Sequence, residues 1–320
     1  MKQIIGKKTI LEQCPEILTD ESRYTSGVPN EVLFPENIPE LQGIMRRATK
    51  ENIHVTFSGG RTGITGGAVP ENDDIVVSFS AMKNIVKCEQ NSSGTPILYC
   101  EPGITLESIA SFLDNPGKWH KTIPGQELLC NKNFIYFPDP TELTAQLGGT
   151  VATNASGARS FHFGPTRNHI DYLEIVLASG ELISLKRGSN VQESWNMLSQ
   201  KVNGKLEQPT YSYAKVKNAS GFYNSPELDP IDLFIGSEGT LGAICTIGIR
   251  LAPKPTFLSG LTFFKSRTQA FDFADFLREN PNAASIEYFD ESVFDIFTNS
   301  EVRPSKELPS IPANTRCAVY

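Results

Sequence analysis

The chain has 320 residues, 39% hydrophobic and 20% charged, with 29 Lys and Arg against 36 Asp and Glu for a net charge of −7. This is the balance of a globular protein long enough for about two domains and a sizeable core. It argues against nucleic acid as a partner, since no Lys/Arg run offsets the acidic total, and no run of ~18 apolar residues offers a transmembrane helix.

The first twenty residues, MKQIIGKKTILEQCPEILTD, lack the apolar stretch of a secretion signal, and residues 1–27 read as a helical lead-in. Six cysteines (Cys14, Cys88, Cys100, Cys130, Cys245 and Cys317) form no Cys-x-x-Cys pair. That spacing suits neither zinc nor a disulfide framework, so no metal site is expected and reduced thiols in the cytoplasm are. A peripheral contact at the inner face of a membrane stays open.

Residues 38–51, IPELQGIMRRATKE, place Ile38, Leu41, Ile44, Met45 and Ala48 at helical spacing. A strand-like IHVTF (53–57), the segment SGGRTGITGG and a second strand candidate DIVVSF (74–79) follow. Helix, strand, glycine loop and strand in that order suggest an α/β unit with the loop at a strand end. PILYCEPG (96–103) reads as a strand closing in a turn, and TLESIASFLDN (105–115) as a helix capped by Thr105. YLEIVLASGELISLKRG (172–188) reads as a hairpin around Ala178-Ser179-Gly180, and the turn-rich 203–230 as a long surface excursion. LGAICTIGIRLAP (241–253) is a long strand that runs into Pro253-Lys254-Pro255, the expected domain boundary. Strand, helix and strand candidates at 258–264, 266–280 and 283–289 begin a second α+β unit. The final TRCAVY reads as a strand of a domain cut short.

SGGRTGITGG (58–67) holds five glycines in ten residues. Closely spaced glycines let successive N–H groups turn inward as a concave anion site, with the hydroxyls of Ser58, Thr62 and Thr65 beside them. It lacks both the Gly-Lys-Ser/Thr ending of a phosphate-binding P-loop and the Gly-x-Gly-x-x-Gly of a dinucleotide fold. A second segment, LTAQLGGTVATNASGARSFHFG (143–164), is built from small residues. These serve tight helix packing as well as they serve close approach of a flat ligand. A third, IGSEGTLGAI (235–244), sets Glu238 between glycines, as a helix cap or as an acceptor for a ligand hydroxyl. The residues by themselves give an anion loop and two close-approach surfaces, without the ligand.

Together these segments resemble a known family. SGGRTGITGGAVP is similar to the diphosphate loop of FAD-linked oxidases of the vanillyl-alcohol-oxidase (PCMH) type. FPDPTELTAQLGGTVATNASGARSFHFG and DLFIGSEGTLGAICTIGIRLAPKP resemble the later flavin segments of its branch of D-lactate dehydrogenases and glycolate oxidases. The resemblance runs from about 20 to 255. It implies an α+β fold: an FAD domain over 28–253 in two subdomains (about 28–80 and 81–253), then the start of an α+β cap over 254–320. By motif position, Ser58, Gly59, Gly60, Arg61, Thr62, Gly63 and Gly66 would hold the diphosphate. Pro138, Asp139, Gly148, Gly149, Ala152, Asn154, Ser156 and Gly157 would line the flavin and ribityl chain. Glu238 and Ile244 would add to it, with Glu101-Pro102-Gly103 near the adenine end.

The implied activity is hydride transfer from the carbinol carbon of a D-2-hydroxy acid such as lactate or glycolate to flavin N5. Electrons could then pass to oxygen, a quinone or an iron–sulfur partner. The same domain also serves sugar or alditol oxidases and non-catalytic flavin subunits, and these remain alternatives. Arg61 stands where some relatives carry a flavin-linking His, so non-covalent FAD is expected. The chemistry also needs a base and a carboxylate partner. His54 and His169 look structural, His162 and Arg303 are the candidates, and Arg61 and Arg159 could pair with an anion. The branch's late His-rich segment has no counterpart in 256–320.

Overall fold

The computed structural model describes residues 1–138, 142–202, 204, 206, 210–211, 221–299 and 310–320. Asp139 and Arg303, both named above as candidate site residues, lie outside the described residues.

The first layer is a four-stranded sheet in the order β1-β2-β4-β3, made of β1 (Lys2–Ile5), β2 (Glu31–Phe34), β3 (Val55–Ser58) and β4 (Ile75–Ser78). The last three run parallel, and β1 pairs antiparallel with β2. Residues 1–27 are therefore more than the helical lead-in expected of them. They supply a sheet strand as well as α1 (Lys7–Gln13) and a 3-10 turn at Pro15–Leu18, and Ile4, Ile10 and Ile17 pack on Val32 and Val76.

The helix read at 38–51 is present with those bounds as α2 (Ile38–Glu51). Asn37 caps it by accepting from the Glu40 N–H, and Asn52, at φ 52°, turns the chain out of it. Its buried stripe of Leu41, Ile44, Met45 and Ala48 faces Ile75 and Val77 of the first sheet and Val176, Ala243 and Cys245 of the second. One helix thus joins both layers.

The second layer is a five-stranded antiparallel sheet in the order β5-β6-β10-β8-β9. Its members are β5 (Ile85–Gln90), β6 (Pro96–Cys100), β8 (Ile170–Val176), β9 (Leu182–Lys186) and β10 (Ala243–Arg250), while β7 (Phe134–Ile135) pairs apart with β11 (Ala252–Pro253). Between these strands run α3 (Leu106–Asp114), α4 (Leu147–Ala152), α5 (Ser160–Phe163), α6 (Val191–Lys201) and α7 (Ile231–Phe234). Ile109 and Phe112 of α3 and Leu147 and Val151 of α4 pack on Leu98, Leu173, Ile175, Ile247 and Ile249 to form the main core. Thr105 caps α3 through the Ser108 N–H.

Two further ties fix the layers. Gln42 Nε2 donates to the Gly180 carbonyl at the tip of the β8–β9 hairpin (2.8 Å), and Thr49 Oγ1 donates to the Ala178 carbonyl. Buried Asp232 receives both Arg167 and Arg187 at 2.9 Å, which locks α7 to the hairpin.

After Pro253 a small three-stranded sheet forms, β12 (Thr262–Phe264), β14 (Cys317–Val319) and β13 (Tyr288–Asp290), with β14 in the middle. Ala270 and Phe273 of α8 (Arg267–Arg278) cover Phe264, Cys317 and Val319, and α9 (Glu291–Asn299) follows β13. No described helix is long and apolar enough to cross a membrane.

Candidate functional site

The first glycine segment leaves the end of β3 at Ser58, which is fully buried with an unpartnered Oγ. From there it folds against the second segment. A Cβ on Gly60 would meet the Thr144 carbonyl and the Gln146 nitrogen at 3.1–3.2 Å, and one on Gly59 would meet Gln146 Oε1 at 3.6 Å. Arg61 adopts a left-handed φ of 56°, and Gly63 borders open space. The two glycines at 59 and 60 therefore serve close approach to the second segment, while Gly63 stands free of neighbours.

The second segment begins with α4. Its two adjacent glycines do different work. Gly148 donates its N–H to the Pro102 carbonyl at 2.8 Å, and a Cβ there would lie 2.6 Å from Pro102 Cβ. Gly149 has nothing within 4 Å of its would-be Cβ. Only Gly149 leaves space for a ligand; Gly148 packs the Glu101-Pro102-Gly103 turn against the helix. Past α4, Asn154 takes φ 47° and its Oδ1 accepts from the Arg167 N–H at 2.9 Å.

The third segment closes on the other two. The Gly236 N–H donates to the Val151 carbonyl (3.0 Å) and the Glu238 N–H to the Ala152 carbonyl (2.9 Å). Glu238 has φ 51°, and its Oε2 lies 3.7 Å from where a Gly67 Cβ would stand. Gly239 sits under the Phe57 ring of β3. Thr153, Asn154, Arg167, Gly236, Glu238 and Thr240 line a cavity of about 220 Å³ here, with Gly221 and Phe222 at its rim. The second and third segments thus share this cavity, and the first packs beside them.

Besides Gly148, three candidate residues stand differently from the use expected of them. The Gly66 N–H is already taken by Asp20 Oδ2 at 3.0 Å, so it is not free for a phosphate. Ile244 buries its side chain in the main core, which leaves only its backbone to face outward. His162 is exposed on α5, its ring edge-on to Phe163, and no described contact holds it in the cleft. Pro138 is buried, and Ala152, Ser156, Gly157 and Thr62 are half-buried along the cleft segments.

His169 is a support rather than a reagent. Its Nε2 lies 2.9 Å from the Phe163 carbonyl, which can only accept, so that nitrogen carries the proton. Burial, with Arg250 adding to it, holds the ring below the ordinary His range, against the pull of that carbonyl. Phe163 in turn stacks on Phe137 at 3.7 Å, and Phe257 meets Phe163 edge-on with Arg159 over its ring. The α5 turn and the exit from the second layer are thereby clipped together.

A second cavity, of about 530 Å³, lies on the face of the large sheet that is turned toward α2, beside the start of that helix. Its polar groups answer one another: Lys87 with Glu89, Tyr172 with Glu174, Glu101 with Asn84. Where the first and second glycine segments meet, two buried oxygens stay without partners, Ser58 Oγ and Gln146 Oε1. Gln146 escaped the sequence reading; a lone amide between apolar Ala145 and Leu147 was the available signal. Among the described residues, no group of three or more His, Cys, Asp or Glu is placed to hold a metal ion.

Orphaned oxygens at Ser58 and Gln146, open space at Gly63 and Gly149, and left-handed backbone at Arg61, Asn154 and Glu238 make a cradle that fits a diphosphate and a flat ring system.

Residues 29–186 match the FAD binding domain family. Over 244 residues the chain is 27% identical to a D-2-hydroxyglutarate dehydrogenase of Stutzerimonas stutzeri, covering 76% of this chain and 41% of that protein. It is 31% identical to a D-lactate dehydrogenase of Archaeoglobus fulgidus (70% and 39%) and 26% identical to the glycolate oxidase subunit GlcD of Bacillus subtilis (74% and 40%). It spans about two-fifths of the length of these relatives. Among solved structures, an alkyldihydroxyacetonephosphate synthase superposes with a TM-score of 0.61 at 16% identity, covering 93% of this chain and 49% of that one. That likeness is one of fold. With the three segments packed on one another in this fold, the chain carries an FAD-binding domain of the PCMH type.

Proposed function

We propose that this chain is the flavin-carrying part of an FAD-dependent oxidoreductase acting on the CH–OH group of a D-2-hydroxy acid. The observation that carries the reading is the packing of Gly59–Gly60 against Gln146 and of Gly236–Glu238 against the end of α4, with unpartnered buried oxygens at Ser58 and Gln146. The relatives' names supply the substrate class, D-2-hydroxyglutarate, D-lactate and glycolate all being 2-hydroxy acids.

When bound, FAD supplies the hydride acceptor at its ring N5. The chain's part is to bind and orient. Ser58 and the backbone from Gly59 to Gly63 would hold the diphosphate, and Gly149, Asn154 and Ser156 would line the ring system. Glu238, aimed at Gly67, would accept from a cofactor hydroxyl. Arg61 stands where a flavin-linking His would be, so no covalent tether is expected from that position. His162, exposed on α5 within the second segment, is the candidate for proton exchange with substrate. The electron acceptor would be a quinone or an iron–sulfur partner.

The test is anaerobic titration of the FAD-reconstituted protein with D-lactate, D-2-hydroxyglutarate, glycolate and a polyol panel. Bleaching of the flavin band by a D-2-hydroxy acid, with the L enantiomer and the polyols silent, supports the reading. Reduction by a polyol alone moves the assignment to an alditol oxidase. Bound flavin that no donor bleaches marks a non-catalytic subunit.

A further inference from the structure

We infer that Asp20 is a positioning residue for the cofactor: it holds the glycine loop 58–67 from behind, in the conformation that leaves its remaining amides free for the diphosphate. The inference rests on the FAD reading of that loop and names a residue from the N-terminal strap that none of the three segments contains.

Asp20 is 8% exposed, although a carboxylate on a turn is ordinarily in water. Both of its oxygens are engaged. Oδ1 accepts from the Ser22 N–H at 2.9 Å and from the Ser22 hydroxyl, and Oδ2 accepts from the Gly66 N–H at 3.0 Å. The first pair closes a tight turn, completed by Arg23 N–H to the Asp20 carbonyl with Arg23 at φ 60°. The last bond reaches across 46 residues to the loop.

The strap grips the loop at two more points. The Glu21 N–H donates to the Arg61 carbonyl at 3.2 Å, and the Tyr24 ring lies against Gly66, 3.2 Å from where a Cβ would stand. Thr19 Oγ1 donates to the Tyr24 carbonyl, which holds the strap in shape. Arg61 and Gly66 are both left-handed residues, so the strap contacts the loop at the bends that give it its curvature. Five glycines in ten residues carry a large conformational entropy, and an unrestrained loop of this kind would have to be ordered at the expense of binding energy. A buried carboxylate that fixes one amide in advance removes part of that cost.

Asparagine cannot replace it. The side-chain amide has one acceptor oxygen, so in Asp20→Asn either Gly66 or Ser22 meets an N–H where it needs an oxygen.

The experiment titrates apo-protein with FAD and, separately, with ADP, which carries the diphosphate without the flavin. Hydrogen exchange of the loop amides is read in the absence of ligand. For Asp20→Asn, affinity for both ligands falls about tenfold and the amides of 62–67 exchange faster, while the exposed control Asp73→Asn changes neither. Asp20→Ala falls further. A role confined to fold stability would lower the melting point yet leave ligand affinity unchanged well below it. Should Asp20→Asn not fold, Ser22→Ala, which removes the hydroxyl's bond to Asp20 and its acceptance from the Tyr24 N–H while leaving Oδ2 on Gly66, shows the same pattern at smaller size. Wild-type binding with unchanged affinity and loop exchange in the Asp20 variants overturns this inference alone. Wild-type protein that binds neither FAD nor ADP overturns the FAD reading and this inference with it.

Discussion

The Glu238 N–H donates to the Ala152 carbonyl at 2.9 Å, so the third glycine segment is bonded to the last turn of α4. An α-helix leaves its final carbonyls unsatisfied, and here Val151 and Ala152 are answered by Gly236 and Glu238. That exchange seats a left-handed Glu238 beside Gly67 and ties all three glycine segments to one helix end.

The adjacent glycines of α4 part company under substitution. Gly148→Ala drives a methyl to 2.6 Å from Pro102 and is expected to lower stability by about 1–3 kcal/mol, read by urea denaturation of the apo-protein. Gly149→Ala meets open space and gains helix propensity of about 0.5–1 kcal/mol. Its cost appears instead as weaker FAD binding, because the methyl stands in the cleft.

Asp232→Ala leaves Arg167 and Arg187 buried without their shared carboxylate. Breaking a buried pair by removing one partner typically costs about 3–5 kcal/mol, and a loss of that size is expected in chemical denaturation. The damage should centre on the α7 region, seen as faster exchange of the 231–236 amides.

His169 gives the fold an acid limb. Because burial lowers its folded-state pKa below 6.5, the unfolded chain binds the proton more readily. Its contribution is complete above pH 6.5 and is lost as pH falls below that value toward the folded-state pKa. His169→Gln, which can keep a donor near the Phe163 carbonyl without titrating, should flatten the stability profile on that side, by up to about 1.4 kcal/mol per pH unit.

The cysteines are all unpaired, five buried and Cys130 half-buried. Burial pushes the Cys88 thiol up to about 12 and raises Cys100 and Cys245 as well. Iodoacetamide at mildly alkaline pH should therefore label native protein at Cys130 and reach the other five only after denaturation, as counted by intact mass.

Local chemistry made α2, the α3 cap and the three glycine segments legible, because each is set by spacing and by residues close in the chain. β1 was not. Only Ile4 of Lys2–Ile5 is buried, so the pattern shows no alternation, and the strand exists because β2 pairs with it. The division of labour between Gly148 and Gly149 depends on how α4 is rotated against Pro102, which no local pattern encodes. Asp20 and Gln146 escaped for a related reason. Each matters through a partner loop elsewhere in the chain, and an isolated Asp or Gln carries no mark of that.

The order of strands in the large sheet has a consequence for synthesis. β10 is its last strand in the chain yet lies between β6 and β8, paired along Ile247↔Cys100 and Ile247↔Leu173. While the chain emerges from the ribosome, β5–β6 and β8–β9 can form only as separate hairpins. The sheet closes when Arg250 is free, and the segment Gly236–Gly242 that completes the cleft arrives just before it. Cofactor capture is therefore expected late in the life of the nascent chain, after α3 and α4 are already available to cover the hairpins.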